Sequence, residues 1–234
     1  MKRAGPEPLT LALDCACSAL SVALARGPTL LADACEAPSQ QQAARLAPMV
    51  QTVLRQAAVE PAALELIGVT VGPGSFTGIR IGLAFARGLA LALDRPLAAR
   101  TTFDAVIDAL PERGDASLRL VAAIDSKREE IFVQASGEAP VMLAPTEAAA
   151  RLPQGRFGLV GDAAASLLQG FAALGRQDEC VVLSQDPPRA SAFVSVLAAQ
   201  GAATWRERNA REGMPRPFYL RAPDVTLGKH RPVP

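Results

Sequence analysis

The sequence has little histidine and cysteine, and it lacks an excess of charge of either sign. Its single histidine, His230, cannot supply the pair of histidine ligands that a metal-dependent hydrolase would need. Four cysteines are too few for a disulfide framework, and we expect Cys15 and Cys17 to be small buried side chains rather than a metal or redox pair. The 24 Lys and Arg residues nearly balance the 23 Asp and Glu residues, which argues against a protein that binds nucleic acid alone.

The first residues also lack the apolar segment of a signal peptide. The longest apolar run is interrupted by Arg87 and is too short to cross a bilayer comfortably. We therefore expect a soluble, cytoplasmic protein that does not contact a membrane. Over residues 206–231, seven basic residues outnumber three acidic ones, so this segment is a mildly basic tail.

The order of predicted elements indicates an α/β protein with two ribonuclease H-like lobes, as in the actin-like ATPase superfamily. Each lobe is expected to hold a mixed sheet with flanking helices. In the first lobe, three strands precede a helix with Ser39 as its N-cap, and a buried strand, a second helix and a short strand follow. The predicted bounds are 9–15, 21–26, 29–35, 39–57, 63–71, 77–93 and 97–99.

The second half repeats this theme with a hairpin, two short helices, two strands and one long helix. Their predicted bounds are 118–124, 130–135, 146–152, 156–160, 163–174, 180–183 and 190–211. Glycine and prolines after the long helix predict an extended end. We place the boundary at residue 101, so that residues 1–101 form the N-terminal lobe and residues 102–234 form the C-terminal lobe with its tail.

A glycine-rich loop precedes the most apolar helix, and its key residues are Gly72, Gly74, Ser75, Thr77 and Gly78. Glycines between a strand and a helix often bind phosphate. A Walker A loop is excluded because Gly78 is followed by Ile79 and Arg80 instead of Lys and Ser or Thr. A Rossmann fingerprint is disfavoured because the third glycine comes one position late. A tight turn with close helix packing, capped by Ser75 or Thr77, is the remaining structural interpretation.

An actin-like ATPase would hold phosphate between two loops, and the first of these lacks glycine here. The matching hairpin runs from Asp14 through Ser18 to Leu20, and each Cβ in it takes space that a phosphate oxygen would need. Asp14 and Ser18 are therefore interpreted as a vestigial phosphate loop. Asp14 would coordinate a nucleotide through magnesium if that site were active, but we favour a role as a cap of the hairpin.

The helix after the glycine loop has no single apolar stripe, because apolar residues lie around most of its circumference. Such a helix is expected to be covered on both sides. Gly82 and Gly88 each cost about 1 kcal/mol in a helix interior relative to Ala, which suggests close approach by another backbone. One side of the helix would pack on the sheet, and a partner subunit is a natural cover for the other.

Several segments resemble a known family. They are the opening strand and hairpin from Leu11 to Leu24, the run from Gly72 to Gly82, the hairpin from Ala122 to Arg128, and the closing Pro217-Phe-Tyr219-Leu-Arg221. Together they are similar to the TsaB (YeaZ-type) family, and the resemblance covers nearly the whole chain. It implies a two-lobed actin-like fold and a non-catalytic role in threonylcarbamoyladenosine modification of tRNA.

The resemblance also implies partners. TsaB-like proteins pair with the catalytic subunit TsaD, which modifies adenosine 37 of tRNAs that read ANN codons, and they help to recruit the ATPase TsaE. Pairing uses the two helices of the first lobe, so the implied interface residues are Leu46, Met49, Val50, Val53, Arg80, Leu83, Ala84 and Arg87. The same surface forms homodimers when TsaD is absent. No cofactor is expected on this chain alone, ATP or ADP and metal are expected on the partner subunits, and tRNA is expected only through the complex.

Two other functions stay open at this point, a stand-alone actin-like ATPase or kinase and a glycoprotease-type peptidase. The peptidase would need metal ligands, and catalytic relatives use a pair of histidines that this sequence lacks. For Tyr219 and Arg221 the sequence leaves two roles open, an anchor across the lobes or a contact with TsaE. The basic tail is a candidate for tRNA phosphate contacts within the complex.

Overall fold

The computed structural model describes residues 7–17, 19–37, 41–111, 115 and 117–221. The first lobe is built on a five-stranded sheet with the order β3-β2-β1-β4-β5. Neighbours are antiparallel among β1, β2 and β3 and parallel among β1, β4 and β5. Its elements are β1 Leu9–Asp14, β2 Leu20–Arg26, β3 Thr29–Glu36, α1 Gln42–Gln56, β4 Leu66–Thr70, α2 Phe76–Leu93 and β5 Leu97–Arg100.

The second lobe repeats this arrangement on a second five-stranded sheet, with the order β10-β9-β6-β7-β8. As in the first lobe, an antiparallel meander (β6, β7, β8) continues into parallel strands (β6, β9, β10). Its elements are α3 Thr102–Asp108, β6 Arg119–Asp125, β7 Ile131–Ala135, β8 Val141–Leu143, α4 Pro145–Arg151, β9 Phe157–Val160, α5 Ala164–Ala173 and β10 Cys180–Ser184. The two mixed sheets with flanking helices confirm the predicted two-lobed ribonuclease H-like fold.

The long helix predicted over residues 190–211 is wrong, because the chain forms two helices there. These are α6 Ala190–Gln200 and α7 Ala202–Glu212, and Gly201 separates them with φ +81°. A positive φ is easy for glycine and interrupts the helical hydrogen-bond pattern. The sequence analysis also missed α3 and β8, which are short.

The last helices return to the first lobe. Phe193 and Leu197 of α6 are fully buried in a cluster with Ala12 and Leu66 of the first sheet. Gly68 of β4 makes this packing possible, since a Cβ there would overlap the side chain of Leu197. Helices α1 and α2 cover one face of the first sheet and α6 covers the other, which makes three layers. The predicted domains had placed residues 190–212 with the second lobe, and the division at residue 101 itself stays a prediction.

Helix α2 begins after Ser75, whose hydroxyl oxygen accepts the N–H of Gly78 at 3.1 Å. Ser39, the predicted cap of α1, lies outside the described residues, and α1 begins at Gln42. Among the helices of the described residues, α2 alone is long and apolar enough to cross a membrane by length and composition. In this fold a row of its side chains, including Ile79 and Leu83, is buried in the first lobe.

Candidate functional site

The glycine loop packs directly on the first hairpin of the same chain. Gly72 has φ +109° and precedes Pro73 through a cis peptide bond. A Cβ on Gly74 would overlap the carbonyl oxygen of Ala16, and a Cβ on Gly78 would overlap that of Cys15. The close backbone approach that these glycines predict is therefore made within the chain.

The hydrogen bonds of the loop are also made within the chain. The N–H of Ser75 donates to the carbonyl oxygen of Ala16 at 2.7 Å, and the N–H of Gly78 donates to the Ser75 hydroxyl. A phosphate cradle needs N–H groups that point into open space. Here carbonyl oxygens face the loop and fill that space, and carbonyl oxygens repel anions. The geometry therefore favours a tight turn over a phosphate-binding loop.

Asp14 is fully buried at the end of β1. Its Oδ1 accepts the hydroxyl hydrogen of Thr70 and, at 3.2 Å, the N–H of Ala16, as expected of a hairpin cap. Its Oδ2 has no hydrogen-bond partner among the described residues. Burial, with a small contribution from the nearby Asp162 carboxylate, raises the pKa of the Asp14 carboxyl to about 7, although the hydrogen bonds from Thr70 and Ala16 oppose the rise. Ser18, the other residue of the predicted vestigial loop, lies outside the described residues.

Five of the predicted interface residues are placed in the core of the first lobe, which corrects their assignment to an outer surface. Their side chains are between 0% and 5% exposed, and they are Leu46, Met49, Val50, Val53 and Leu83. The large apolar side chains of α1 and α2 lie on the face that packs against the sheet, because burial there stabilises the lobe most. A substitution of one of these residues would disturb the folding of the lobe, so a loss of partner binding in that variant could not be assigned to the interface.

The remaining predicted interface residues, Arg80, Ala84 and Arg87, lie toward the outer side of α2. Ala84 is exposed. The Arg80 guanidinium lies 3.7 Å from the centre of the Phe76 ring. Arg87 is half-buried and donates from Nη2 to the carbonyl oxygen of Pro215. Both arginines are therefore held by contacts within the chain.

Residues 213–221 run along the first half of α2 and hold it to the sheet. The N–H of Phe218 donates to the carbonyl oxygen of Val71 at 2.7 Å. The Tyr219 ring lies 5.1 Å from the Phe76 ring, and its hydroxyl accepts from Nε of Arg80 at 3.1 Å. Phe218 also packs against the clusters of both lobes. Arg221 is exposed beside the cleft between the lobes, and Thr77 is exposed on the first turn of α2.

The outer face of α2 exposes small and apolar groups, and of these the sequence analysis selected only Ala84 as an interface residue. Leu91 is 76% exposed, and Ala84 and Ala92 are exposed near it. A Cβ on Gly88 would meet no atom within 4 Å, so this glycine, unlike Gly78, is open to solvent. Pro48 and Ala44 are exposed on the adjacent α1. We call Ala44, Pro48, Ala84, Gly88 and Leu91 the outer helix face. The sequence showed that α2 is apolar all round but not which side meets the sheet.

Comparison with known proteins places this geometry in a family. The TsaD family, described as tRNA N6-adenosine threonylcarbamoyltransferase, matches residues 36–150. The tRNA threonylcarbamoyladenosine biosynthesis protein TsaB of Escherichia coli (strain K12) is 34% identical over 122 residues, 52% of each chain. TsaB of Bacillus subtilis (strain 168) is 32% identical over 123 residues, again 52% of each. The matched region thus spans about half the length of these curated relatives.

The structure extends the similarity beyond that region. It matches YeaZ from Pseudomonas aeruginosa with a TM-score of 0.67 and 27% identity, over 91% of this chain and 100% of that one. In sequence and in structure, the chain is similar to proteins of the TsaB (YeaZ) family. The stretch that matches the TsaD model begins at the end of β3 and ends within α4, so it contains the glycine loop and helices α1 and α2.

Proposed function

We propose that this chain is a non-catalytic subunit required for threonylcarbamoyl transfer to adenosine 37 of tRNAs that read ANN codons. The observation that carries the proposal is its similarity to proteins named for tRNA threonylcarbamoyladenosine biosynthesis. The catalytic partner would be a TsaD-like subunit, and the chain would help to recruit a TsaE-like ATPase. It would act in the cytoplasm and would contact tRNA only as part of the complex.

The glycine loop supports the non-catalytic part of the proposal. Gly74 and Gly78 pack against the carbonyl oxygens of Ala16 and Cys15, and the N–H of Ser75 already donates to Ala16, so the glycine loop does not present an open cradle of N–H groups. Among the residues that the structure describes, no three His, Cys, Asp or Glu side chains are grouped as ligands of a metal ion. Nucleotide and metal are expected on the partner subunits, as the resemblance to the TsaB family implies.

The outer helix face is the surface that we propose for the TsaD-like partner. It is formed by small side chains and Leu91, so a partner helix can approach closely and bury apolar area. Gly88 is open to solvent although glycine weakens a helix interior, which is consistent with close approach by a partner. In isolation the same face would form a homodimer.

Co-purification with a TsaD-like subunit tests the interface. We expect Gly88→Trp to fold normally, because nothing in the chain lies near the new side chain, and to lose the complex. Ala150→Trp, an exposed helix position in the second lobe, is the matched control and should keep it. Undiminished complex formation by Gly88→Trp would contradict this interface but not the family role.

The role itself is tested by reconstituted tRNA modification with and without the chain. Modification that proceeds equally well without it would contradict the proposed function. The alternative of a stand-alone ATPase or kinase predicts tight binding of ATP with magnesium to the isolated chain, which calorimetry would detect. The peptidase alternative predicts a stoichiometric metal.

A further inference from the structure

Strand β5 lies at one edge of the first sheet, so half of its backbone groups face away from the other strands. The carbonyl oxygens of Pro96 and Arg100 accept N–H groups on the β4 side. The backbone groups of successive residues alternate between the two edges of a strand. Leu97 and Ala99 therefore direct both their N–H and their C=O groups to the free edge.

The side chain of Asn209 on α7 closes this edge at Leu97. Its Oδ1 accepts the N–H of Leu97 at 2.7 Å, and its Nδ2 donates to the carbonyl oxygen of Leu97 at 3.0 Å. A residue of an added strand would make the same two bonds. Among the described residues, none makes a hydrogen bond to the N–H or C=O of Ala99 on this edge. The edge is therefore closed at Leu97 and open at Ala99.

Ala99 opens into a groove between β5 and α7. Two cavities of about 560 Å³ and 280 Å³ adjoin there, and Ala99, Trp205 and Arg208 line both of them. The larger cavity extends past Thr204, and the smaller one extends to Met214. We call the two cavities together the β5 groove. It shares no described lining residue with the cleft between the lobes, and the larger cavity alone has the size of a ligand site.

Two arginines that line the groove have no hydrogen-bond or ion-pair partner within the described part of the chain. They are Arg208, which lines both cavities, and Arg216, which is exposed beside the smaller one. The Arg208 guanidinium lies 4.5 Å from the centre of the Trp205 ring. Stacking on a ring face leaves the N–H groups at the rim of a guanidinium free to donate.

The two acidic residues that line the groove already have cationic neighbours. Glu212 accepts from Nη2 of Arg211 at 2.6 Å, and this hydrogen bond, with the charges of Arg211 and Arg208, lowers the pKa of Glu212. Asp104 lies 3.7 Å from the Arg100 guanidinium. The acids are therefore neutralised within the chain, and the two unpaired arginines leave the groove with an excess of positive charge.

We propose that the β5 groove binds an extended, acidic peptide segment of a partner protein. One residue of the segment exchanges two backbone hydrogen bonds with Ala99, as the Asn209 amide does with Leu97, and carboxylate side chains contact Arg208 and Arg216. A free N–H beside a free C=O selects a polypeptide over the backbone of RNA, because a phosphodiester has no N–H to donate. This inference does not depend on the proposed TsaD-like partner or on tRNA.

Isothermal titration calorimetry of the full chain with a capped hexapeptide of alternating threonine and glutamate tests the proposal. We expect saturable binding with a Kd of about 1 mM or tighter, and about tenfold weaker binding when glutamine replaces glutamate. Arg208→Ala and Arg216→Ala should each weaken binding by about threefold or more. Arg151→Ala, at an exposed position of α4 in the second lobe, is the control and should leave the affinity unchanged.

The backbone pairing is tested separately with two N-methylated forms of this peptide, one methylated at each threonine and the other at each glutamate. Alternate N–H groups of an extended peptide point to opposite edges, so only one of the two forms should lose affinity, by about tenfold. Amide hydrogen exchange followed by NMR should slow by at least about tenfold at Ala99 when the peptide is bound. Exchange at Leu97, which Asn209 already protects, should not change.

Four results would overturn the proposal. The first is the absence of saturable binding of the threonine–glutamate peptide in the millimolar range. The second is equal affinity for the glutamine peptide or for hexauridylate RNA, since the latter would indicate a surface for phosphates. The third is unchanged affinity in both arginine variants, and the fourth is unchanged exchange at Ala99 with saturating peptide. Each of these results would leave the proposed role in tRNA modification untouched, because that role is measured by reconstituted modification.

Discussion

Gly78 and Gly88 lie on the same helix, but only Gly78 requires the absence of a side chain. A Cβ at Gly78 would overlap the backbone carbonyl of Cys15, and a backbone atom cannot move aside as a flexible side chain can. A Cβ at Gly88 would meet nothing within 4 Å. Substitutions at the two positions therefore distinguish two effects on stability. At Gly78 the effect is close packing within the chain, and at Gly88 it is the intrinsic cost of glycine in a helix.

We expect Gly78→Ala to lower the free energy of unfolding by about 1–3 kcal/mol through overpacking. Gly88→Ala is its matched control and should raise that free energy by up to about 1 kcal/mol, because alanine is the better helix former. Urea denaturation of the two variants and the parent chain measures both changes. A change of the same sign in both variants would contradict this account of the glycine loop.

Asp14 should make stability depend on pH. Its pKa rises from 3.8 to about 7 in the folded chain because the carboxyl is buried. Between about pH 4 and pH 7 the folded chain holds a proton that the unfolded chain has released, so the free energy of unfolding falls as pH rises. Over this whole range the free energy of unfolding falls by on the order of 4 kcal/mol. Above the pKa of the folded chain it no longer changes with the titration of Asp14.

Asp14→Asn removes this titration, so we expect the stability of the variant to change much less than that of the parent between about pH 5 and pH 8. Urea denaturation at the two pH values measures the difference. Asp33→Asn, at an exposed position of β3, is the control and should follow the parent. An Asp14→Asn variant that loses as much stability as the parent over this range would show that another group is responsible.

The interface residues show where sequence reasoning reaches its limit for single side chains. Leu46, Val53 and Leu83 were selected because the family resemblance places the partner interface on the two helices that carry them. The same property places them in the core, where each is at most 2% exposed. Leu91 is as apolar as they are, and only the position of the sheet shows that it faces outward.

At the scale of elements, α2 depends on the closing segment 213–221 as well as on the sheet. Phe218 packs against both lobe clusters, and Tyr219 contacts Phe76 and Arg80. Phe218→Ala should destabilise the chain by about 2–4 kcal/mol, because a large ring is lost between the lobes. Hydrogen exchange should show faster opening of α2 in that variant.

Tyr219→Phe provides the comparison for this segment. It keeps the ring against Phe76 and removes only the hydroxyl that Arg80 contacts, so a loss below about 1 kcal/mol is expected at this exposed hydrogen bond. A larger loss in Tyr219→Phe than in Phe218→Ala would mean that the polar contact, and not the apolar packing, holds the segment.

The elements themselves were largely predictable. The strand before Gly72, the turn and helix α2 follow from apolar periodicity and glycine spacing, and Ser75 was one of two predicted caps. The seven-residue α3 and three-residue β8 were missed because so short a run carries no clear period. The break at Gly201 was missed because apolar spacing continues across a single glycine.

At the scale of the whole molecule, the first lobe is completed by the end of the chain. Helix α6 covers the face of the first sheet that α1 and α2 leave open, and its Phe193 and Leu197 are fully buried there. We expect residues 1–101 expressed alone not to fold. Urea denaturation followed by far-ultraviolet circular dichroism should show no cooperative transition for the fragment, whereas the full chain should show one. A cooperative unfolding transition of the fragment would contradict this expectation.

This packing also constrains the order in which a newly made chain acquires structure. When residues 1–101 have left the ribosome, the residues that will cover Ala12, Leu66 and Ala98 have not yet been synthesised. One apolar face of the first sheet is therefore exposed to water, or bound by a chaperone, while the second lobe is translated. Completion of the N-terminal lobe therefore waits for the synthesis of α6, and substitutions in α6 should affect yield during synthesis as well as final stability.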